Sequence, residues 1–393
     1  MKLKKLMSSM TIVLVVSAML SACGGDASTA TSVAPAATAT KATTAATATT
    51  ASTTGPTATT ASAAGGAKDD RMVDTAKFKK AGPYKIGFSN ISVVNSWRVQ
   101  MVRELEQEKT LHPEITDLFI TDAGGDVNKQ IADVEDLLSK GIDALLITPA
   151  SPDALVPVVQ KALDAGIPVI VFNSSIAGDI ATASVGTDET EFGYVDAKWL
   201  MDQLGCKGQI IALDGIAGNS ISEDRFNGLQ KAINECADPT AIKILSRTAA
   251  DWAYDKGKIA TEQALAAYPQ IDGVWSQGGA MTQGAMEAFQ AAGRKLVPMT
   301  GEDNNGFMKL WKKLQPAGFK GIAASEPTWL SGSALNLALD ALNGKPVPHK
   351  RLIPVPTITD ANLDQYVKPD LSDDYWANSK LPADVAAKYY AIK

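Results

Sequence analysis

Amide, hydroxyl, carboxylate, guanidinium and indole groups recur in this chain at one kind of position, just after a short apolar run. Asn95, Trp97 and Arg98 follow "YKIGFS", Thr148 follows "DALLI", and Asn173 and Ser174 follow "PVIVF". The second half supplies Glu223 and Arg225 after "GQIIALDGIAGNSIS", Trp252 after "AIKILSRTAAD", Gln277 after "DGVWS", Glu302 and Asp303 after "LVPMTG", and Ser325 after "GIAA". Side-chain amides and carboxylates provide the paired donors and acceptors that hydroxyls need, because a hydroxyl both gives and accepts a hydrogen bond. Indole rings add flat apolar faces for C–H surfaces. The set describes a receptor for an uncharged polyhydroxylated ring, a sugar above all.

Each residue also has a purely structural use. Trp97 could be core on the following helix, Asn95 or Ser96 its N-cap, Trp275 strand core, and Asp303 a turn or cap residue. Asn90 could serve the site or the backbone, and Arg225 could face a ligand or pair with Glu223. Two tryptophans and several polar groups at equivalent positions in both halves exceed what packing requires, so the joint reading is a binding site.

The elements that position these residues follow from apolar patterning. Runs of about five apolar residues alternate with segments of helical period that close near glycine, such as "NKQIADVEDLLSKG" and "GAMEAFQAAGR". Such βαβ repetition predicts parallel sheets with right-handed crossovers, covered by helices on both faces. A weak internal repeat relates "KGIDALLITPASPDALVPVVQKALDAGIPVIVFN" to "PQIDGVWSQGGAMTQGAMEAFQAAGRKLVPMTGED" and predicts two similar lobes. About 320 residues from Met72 onward also suit two domains better than one core. In open α/β sheets ligands collect at the carboxyl ends of strands, where the polar set lies. Cys206 precedes one strand and Cys236 ends the helix after it, so both fall at one sheet edge. A disulfide and two buried thiols are both compatible with that placement.

Composition removes several function classes. Net charge is −6, with 37 Lys and Arg against 43 Asp and Glu, and no basic patch favours nucleic acid. The two histidines, His112 and His349, sit beside proline or in loops, which argues against a histidine-based triad or metal site. Dinucleotide, Walker A, HExxH and GxSxG strings do not occur, so neither cofactor nor metal is expected. A glycosidase built on Glu223 and Asp303 is the enzymatic alternative.

The N-terminus, "MKLKKLMSSMTIVLVVSAMLSACGG", reads as a cleaved export signal over residues 1–22. Its Leu20-Ser21-Ala22-Cys23 resembles the bacterial lipobox, which implies lipidation of Cys23; an ordinary secretory signal is the alternative. Residues 23–71, nearly all Ala, Thr, Ser and Gly toward their centre, cannot bury a core and read as a tether with a reach of roughly 40 Å. The body is therefore expected outside the cytoplasm, anchored to the bacterial cell membrane.

Over essentially its whole length that body resembles the ribose-binding-like class of periplasmic binding proteins, which serve ABC importers. The resemblance is carried by "NSWR", "GIDALLITPASPDALVPVVQKALDAGIPVIVFN", "DGIAGNSISEDRFNGLQKAI", "ADWAYDKG", "SQGGAMTQGAMEAFQAAG" and "TGEDNNGF". It implies an α/β fold of two Rossmann-like lobes joined by three crossings near Asp188, Ser325 and Leu352. Lobe one would comprise 84–188 and 326–352, and lobe two 189–325 and 353–393. It also implies one monosaccharide enclosed between the lobes, membrane permease subunits as partners, a monomer and no catalysis. Asn95, Trp97 and Arg98 fall where the family places an amide and two aromatic stackers, so Trp97 alone keeps the aromatic role. Trp252, Gln277 and Asp303 match the family pattern. Asn173 and Ser174 replace an Asp-Arg pair, Glu223 replaces an arginine, and Gly278 an asparagine, so the particular sugar does not carry over. A ligand-loaded sensor, or a binder of a polyol or signalling molecule, is the alternative function. The C-terminal segment is expected along the second lobe, anchored by Tyr375 and Trp376, with a wrap around the hinge as the other arrangement.

Overall fold

The computed structural model describes residues 71–392. The export signal, Cys23 and the Ala/Thr-rich tract up to residue 70 lie outside them. A short strand β1 (Met72–Val73) pairs antiparallel with β12 (Val347–Pro348). Two six-stranded sheets organise the rest. The first runs β13 (Lys350–Ile353), β6 (Ala183–Thr187), β5 (Val169–Phe172), β4 (Ala144–Ile147), β2 (Tyr84–Asn90), β3 (Ile115–Asp122), all parallel. The second runs β14 (Thr357–Ile358), β11 (Gly321–Ala324), β10 (Met299–Glu302), β9 (Gly273–Ser276), β7 (Gly208–Asp214), β8 (Ile242–Ala249), with only the edge strand β14 antiparallel.

Strands β4 and β5 are apolar at every position because both sheet faces are covered. In the first lobe Leu146, Ile170 and Phe172 pack beneath α1 (Ser96–Lys109) and α9 (Leu330–Leu342). Their neighbours Leu145, Ile147, Val169 and Val171 point the other way, onto α2 (Val127–Ser139) and α3 (Val156–Asp164). The second lobe repeats the plan. Ile210, Ala212 and Trp275 face α4 (Glu189–Leu204) and α5 (Ser220–Asn234), whereas Ile211, Leu213 and Val274 face α6 (Tyr254–Ala267), α7 (Gly279–Ala291) and α8 (Asn305–Leu314). Fully burying one such side chain stabilises by roughly 1.5–3 kcal/mol, so these layers hold each lobe rigid.

The chain passes between the sheets from β6 to α4 at Asp188, from β11 to α9, and from β13 to β14. Asp188 caps α4 by accepting from the Glu191 N–H at 3.0 Å. Cys206 and Cys236 are joined as a disulfide. It closes the loop containing β7 and α5, which limits the freedom of the unfolded chain there.

After β14 come α10 (Leu363–Tyr366) and α11 (Ala383–Tyr390). Tyr375 joins a small cluster with Leu381, Ala386 and Tyr390. Trp376 instead enters the first lobe's core beside Trp97 and Met101. The expectation of a tail along the second lobe alone is thus corrected, because α1 presents polar partners to it as well. Among the described residues no helix is long and apolar enough to cross a membrane.

Candidate ligand site between the lobes

Side chains from both lobes meet around a small cavity of about 20 Å³ and leave little room between them. The first lobe contributes Asn95, Trp97, Arg98 and Asn173; the second contributes Ile221, Arg225, Trp252 and Glu302. Glu326, in the β11–α9 crossing, and Trp376, in the tail, complete the lining. A wider, open groove runs past the crossings and shares Asn173 and Ile221 with this cavity.

Strand ends and helix caps explain the first-lobe placement. Asn95 ends the loop after β2 and accepts from the Arg98 N–H at 3.0 Å, so it is the α1 N-cap as well as cavity wall. That cap turns Trp97 and Arg98 inward. The Trp97 indole donates to the Glu326 carbonyl at 3.1 Å, tying the first lobe to a crossing. Asn173 sits at φ 63°, a left-handed conformation that asparagine tolerates. Its Oδ1 accepts from Arg98 Nη2 at 2.8 Å and its Nδ2 donates to Glu326 Oε2 at 3.0 Å.

Arg225 organises the second-lobe side. Its guanidinium donates to Glu189 at 2.7 Å, Glu326 at 3.2 Å, Glu302 at 3.5 Å and the Gln277 carbonyl at 2.8 Å, above the Phe192 ring. Glu189 begins α4 just after one crossing and Glu326 lies in another, so Arg225 ties the second lobe to two of the three connections. Thr187 strengthens this link: its hydroxyl donates to Glu189 at 2.6 Å and lies 3.2 Å from the Glu326 carboxyl.

Trp252 is held differently. It follows the β8 exit at φ 55°, and its ring lies against two glycines. A Cβ on Gly215 would come within 2.0 Å of that ring, and one on Gly278 within 2.8 Å. Glycine at 215 and 278 therefore leaves the space that the indole needs. Two buried polar atoms at the cavity lack a hydrogen-bond partner, Trp252 Nε1 and Glu302 Oε1. One indole N–H and one carboxyl oxygen thus remain for ligand hydroxyls.

Burial dominates the titration of the acidic groups. It pushes Glu302 up to about 8, with Arg225 opposing and Asp303 and Glu189 adding to the rise. It pushes Asp303 up to about 6 against the stabilising N–H of Asn378. Glu326 and Asp196 are likewise raised by burial, each with Arg225 pulling the other way. Burial lowers Arg98 to about 10, whereas for Arg225 the surrounding carboxylates overcome burial and raise it. Glu302 and Asp303 bind protons more tightly folded than unfolded, so their contribution is complete below the unfolded values near ~4 and is lost as pH rises through the folded ones. Thermal melts are therefore expected to show stability falling between pH 5 and pH 8, with Glu302→Gln flattening the upper part of the fall. Parallel curves for wild type and variant would contradict this.

Three residues expected at the site lie elsewhere. Glu223 is exposed on the outer face of α5 and pairs with Arg247 at 3.0 Å; two residues along a helix do not share a face, so Glu223 and Arg225 diverge. Gln277 is buried behind Arg225, donating to Asp214 Oδ1 at 3.0 Å and the Ser222 carbonyl at 2.9 Å. Asp303 is buried and held by the tail, its carboxylate accepting from the Asn378 N–H at 2.6 Å. Trp275 is core in β9, packed edge-on against Phe226. Glu189, Glu326 and Ile221 were not singled out from sequence, and Trp376 was expected only as an anchor of the tail. Glu326 follows the β11 exit by one residue past Ser325 and obeys the strand-exit rule, whereas Trp376 follows no periodic element.

The periplasmic binding protein domain family matches residues 86–346. A xylitol-binding protein of Mycolicibacterium smegmatis is 29% identical over 63% of this chain and 70% of its own. The ribose import binding protein of Bacillus subtilis is 27% identical over 67% of this chain and 83% of its own. An ABC transporter solute binding protein from Bacillus halodurans, solved with bound myo-inositol, superposes with a TM-score of 0.67 at 25% identity, covering 73% of this chain and 98% of that one.

Proposed function

The chain belongs to the periplasmic binding protein family, and on that premise we propose that it holds a monosaccharide or small polyol between its lobes and hands it to the permease of an ABC importer. The observation that carries this reading is the pair of unpartnered atoms, Trp252 Nε1 and Glu302 Oε1, at a cavity walled by indoles from both lobes. A ligand hydroxyl donates to Glu302, another accepts from Trp252, and the ring's C–H faces lie against Trp97 and Trp252. Asn95, Arg98 and Asn173 supply polar contacts from the opposite side. The lobes part to admit the ring and close over it, bending at the three connections. Closure then gives the permease a shape that differs from the empty one.

Ribose, xylitol and myo-inositol, the ligands named for similar proteins, are uncharged polyols, which suits a site where Arg225 is already neutralised by its own carboxylates. No group in this arrangement has a catalytic task. The protein works as an extracytoplasmic monomer, lipid-anchored through Cys23. The test is a melting screen against pentoses, hexoses, xylitol and myo-inositol, with amino acids as controls. A cognate ligand at about 100 times its Kd stabilises the native state by about 2.7 kcal/mol, a shift of several degrees. A rise with amino acids and none with any sugar or polyol would reject the assignment.

A further inference from the structure

Trp376 is supplied by a segment beyond the family domain, which ends at residue 346, yet it is buried in the first lobe and borders the cavity. Gln100 fixes its backbone from both sides, accepting from the Trp376 N–H at 3.0 Å and donating to its carbonyl at 2.9 Å. The indole N–H donates to Ser96 Oγ at 3.0 Å, so the ring offers the cavity only its apolar surface. Three and four residues past Trp376, the Ser379 hydroxyl and the Lys380 N–H donate to Glu104 of the same helix at 2.6 Å and 3.0 Å.

The flanking residues belong equally to the second lobe. The Ala377 N–H donates to the Asp303 carbonyl at 3.1 Å and the Asn378 N–H to its carboxylate at 2.6 Å. Upstream, the Tyr375 carbonyl accepts from the Asn305 N–H at 2.8 Å, and the Asp373 carbonyl from Asn304 Nδ2 at 2.8 Å. Parting the lobes must therefore break one of these two sets. The lobe-two set uses both main chain and side chains of Asp303, Asn304 and Asn305 around the start of α8, while the lobe-one set depends on the side chains of α1.

We propose that Trp376 is a third ligand-contacting wall and that its segment is a latch between the lobes, already engaged on α1 before ligand enters. The ligand half of this proposal rests on the sugar reading above; the latch half does not. Because the Trp376 N–H is already engaged, the ring adds contact area without selecting among hydroxyl patterns, and its loss weakens different polyols alike.

Two measurements on the full chain decide the matter. In the ligand-free protein, hydrogen exchange at Trp376, Asn378 and Lys380 is expected to be slower than in an unstructured peptide. Gln100→Ala, which lies away from the cavity, is expected to accelerate it. Exchange at the unstructured rate in wild type would overturn the latch. Calorimetric titration with D-ribose, xylitol and myo-inositol is the second arm. Trp376→Phe, which keeps an aromatic in the core, is expected to weaken whichever of these binds by about tenfold, the scale of one aromatic contact. Unchanged affinity with a cooperative ligand-free melt would overturn the wall. If none of the three binds wild type, the titration uses the sugar or polyol found by the melting screen; if that screen finds none, the sugar reading and the wall fail together and the exchange arm still decides the latch.

Discussion

Arg225→Ala is expected to lower stability by about 3–5 kcal/mol and to abolish ligand binding, because it strands buried carboxylates that now share one cation. Glu189, Glu302 and Glu326 all contact its guanidinium, and none of the three is more than marginally exposed. Without Arg225 these groups recover neither hydration nor a partner, and Glu302 and Glu326, already raised by burial, take up protons still more readily. The damage is therefore smaller at pH 5 than at pH 8, where the acids must ionise. Urea titrations of wild type and variant at both pH values read this directly. An equal loss at the two would mean that Arg225 acts through packing over Phe192 and not through charge.

The two cavity tryptophans of the opposing lobes are expected to separate binding from stability. Trp252→Ala removes a wall from the second lobe, and buried tryptophans are typical binding hot spots, so affinity is expected to fall by about 100-fold. The stability loss is expected to be the smaller of the two, because its N–H has no partner to strand and its backbone stands in a left-handed conformation. Trp97→Ala removes a ring that packs with Phe88, Met101 and Leu105 and donates to Glu326, so it costs about 3–5 kcal/mol in addition to affinity. Calorimetric titration with the sugar or polyol found by melting screen, paired with urea unfolding, measures both quantities. Native affinity in the Trp252 variant would remove that ring from the ligand's surroundings.

Much of the fold was legible from patterning. Runs such as "ALLI" and "VIVF" are apolar at every position, which only a strand covered on both faces requires, and each is buried throughout. The strand-exit rule located Asn95, Trp97, Arg98, Asn173, Arg225, Trp252 and Glu302, all of which border the cavity. It misplaced Glu223, Gln277 and Asp303, because exit position says which end of a sheet a residue occupies but not which way its side chain turns. Helical phase turned Glu223 outward, and Gln277 was drawn back to Asp214 and Ser222.

By itself, the sequence determined the parallel α/β layers and the polar and aromatic stock at the strand exits, since these depend on local period and order along the chain. Tertiary structure alone decided the partners: Arg225 among three carboxylates brought from separate elements, the disulfide between Cys206 and Cys236, and Trp376 carried into the first lobe from a tail without periodicity. The physical reason is distance along the chain. Contacts between residues far apart in sequence are selected by shape, burial and charge only after the lobes have formed, and no local propensity encodes them.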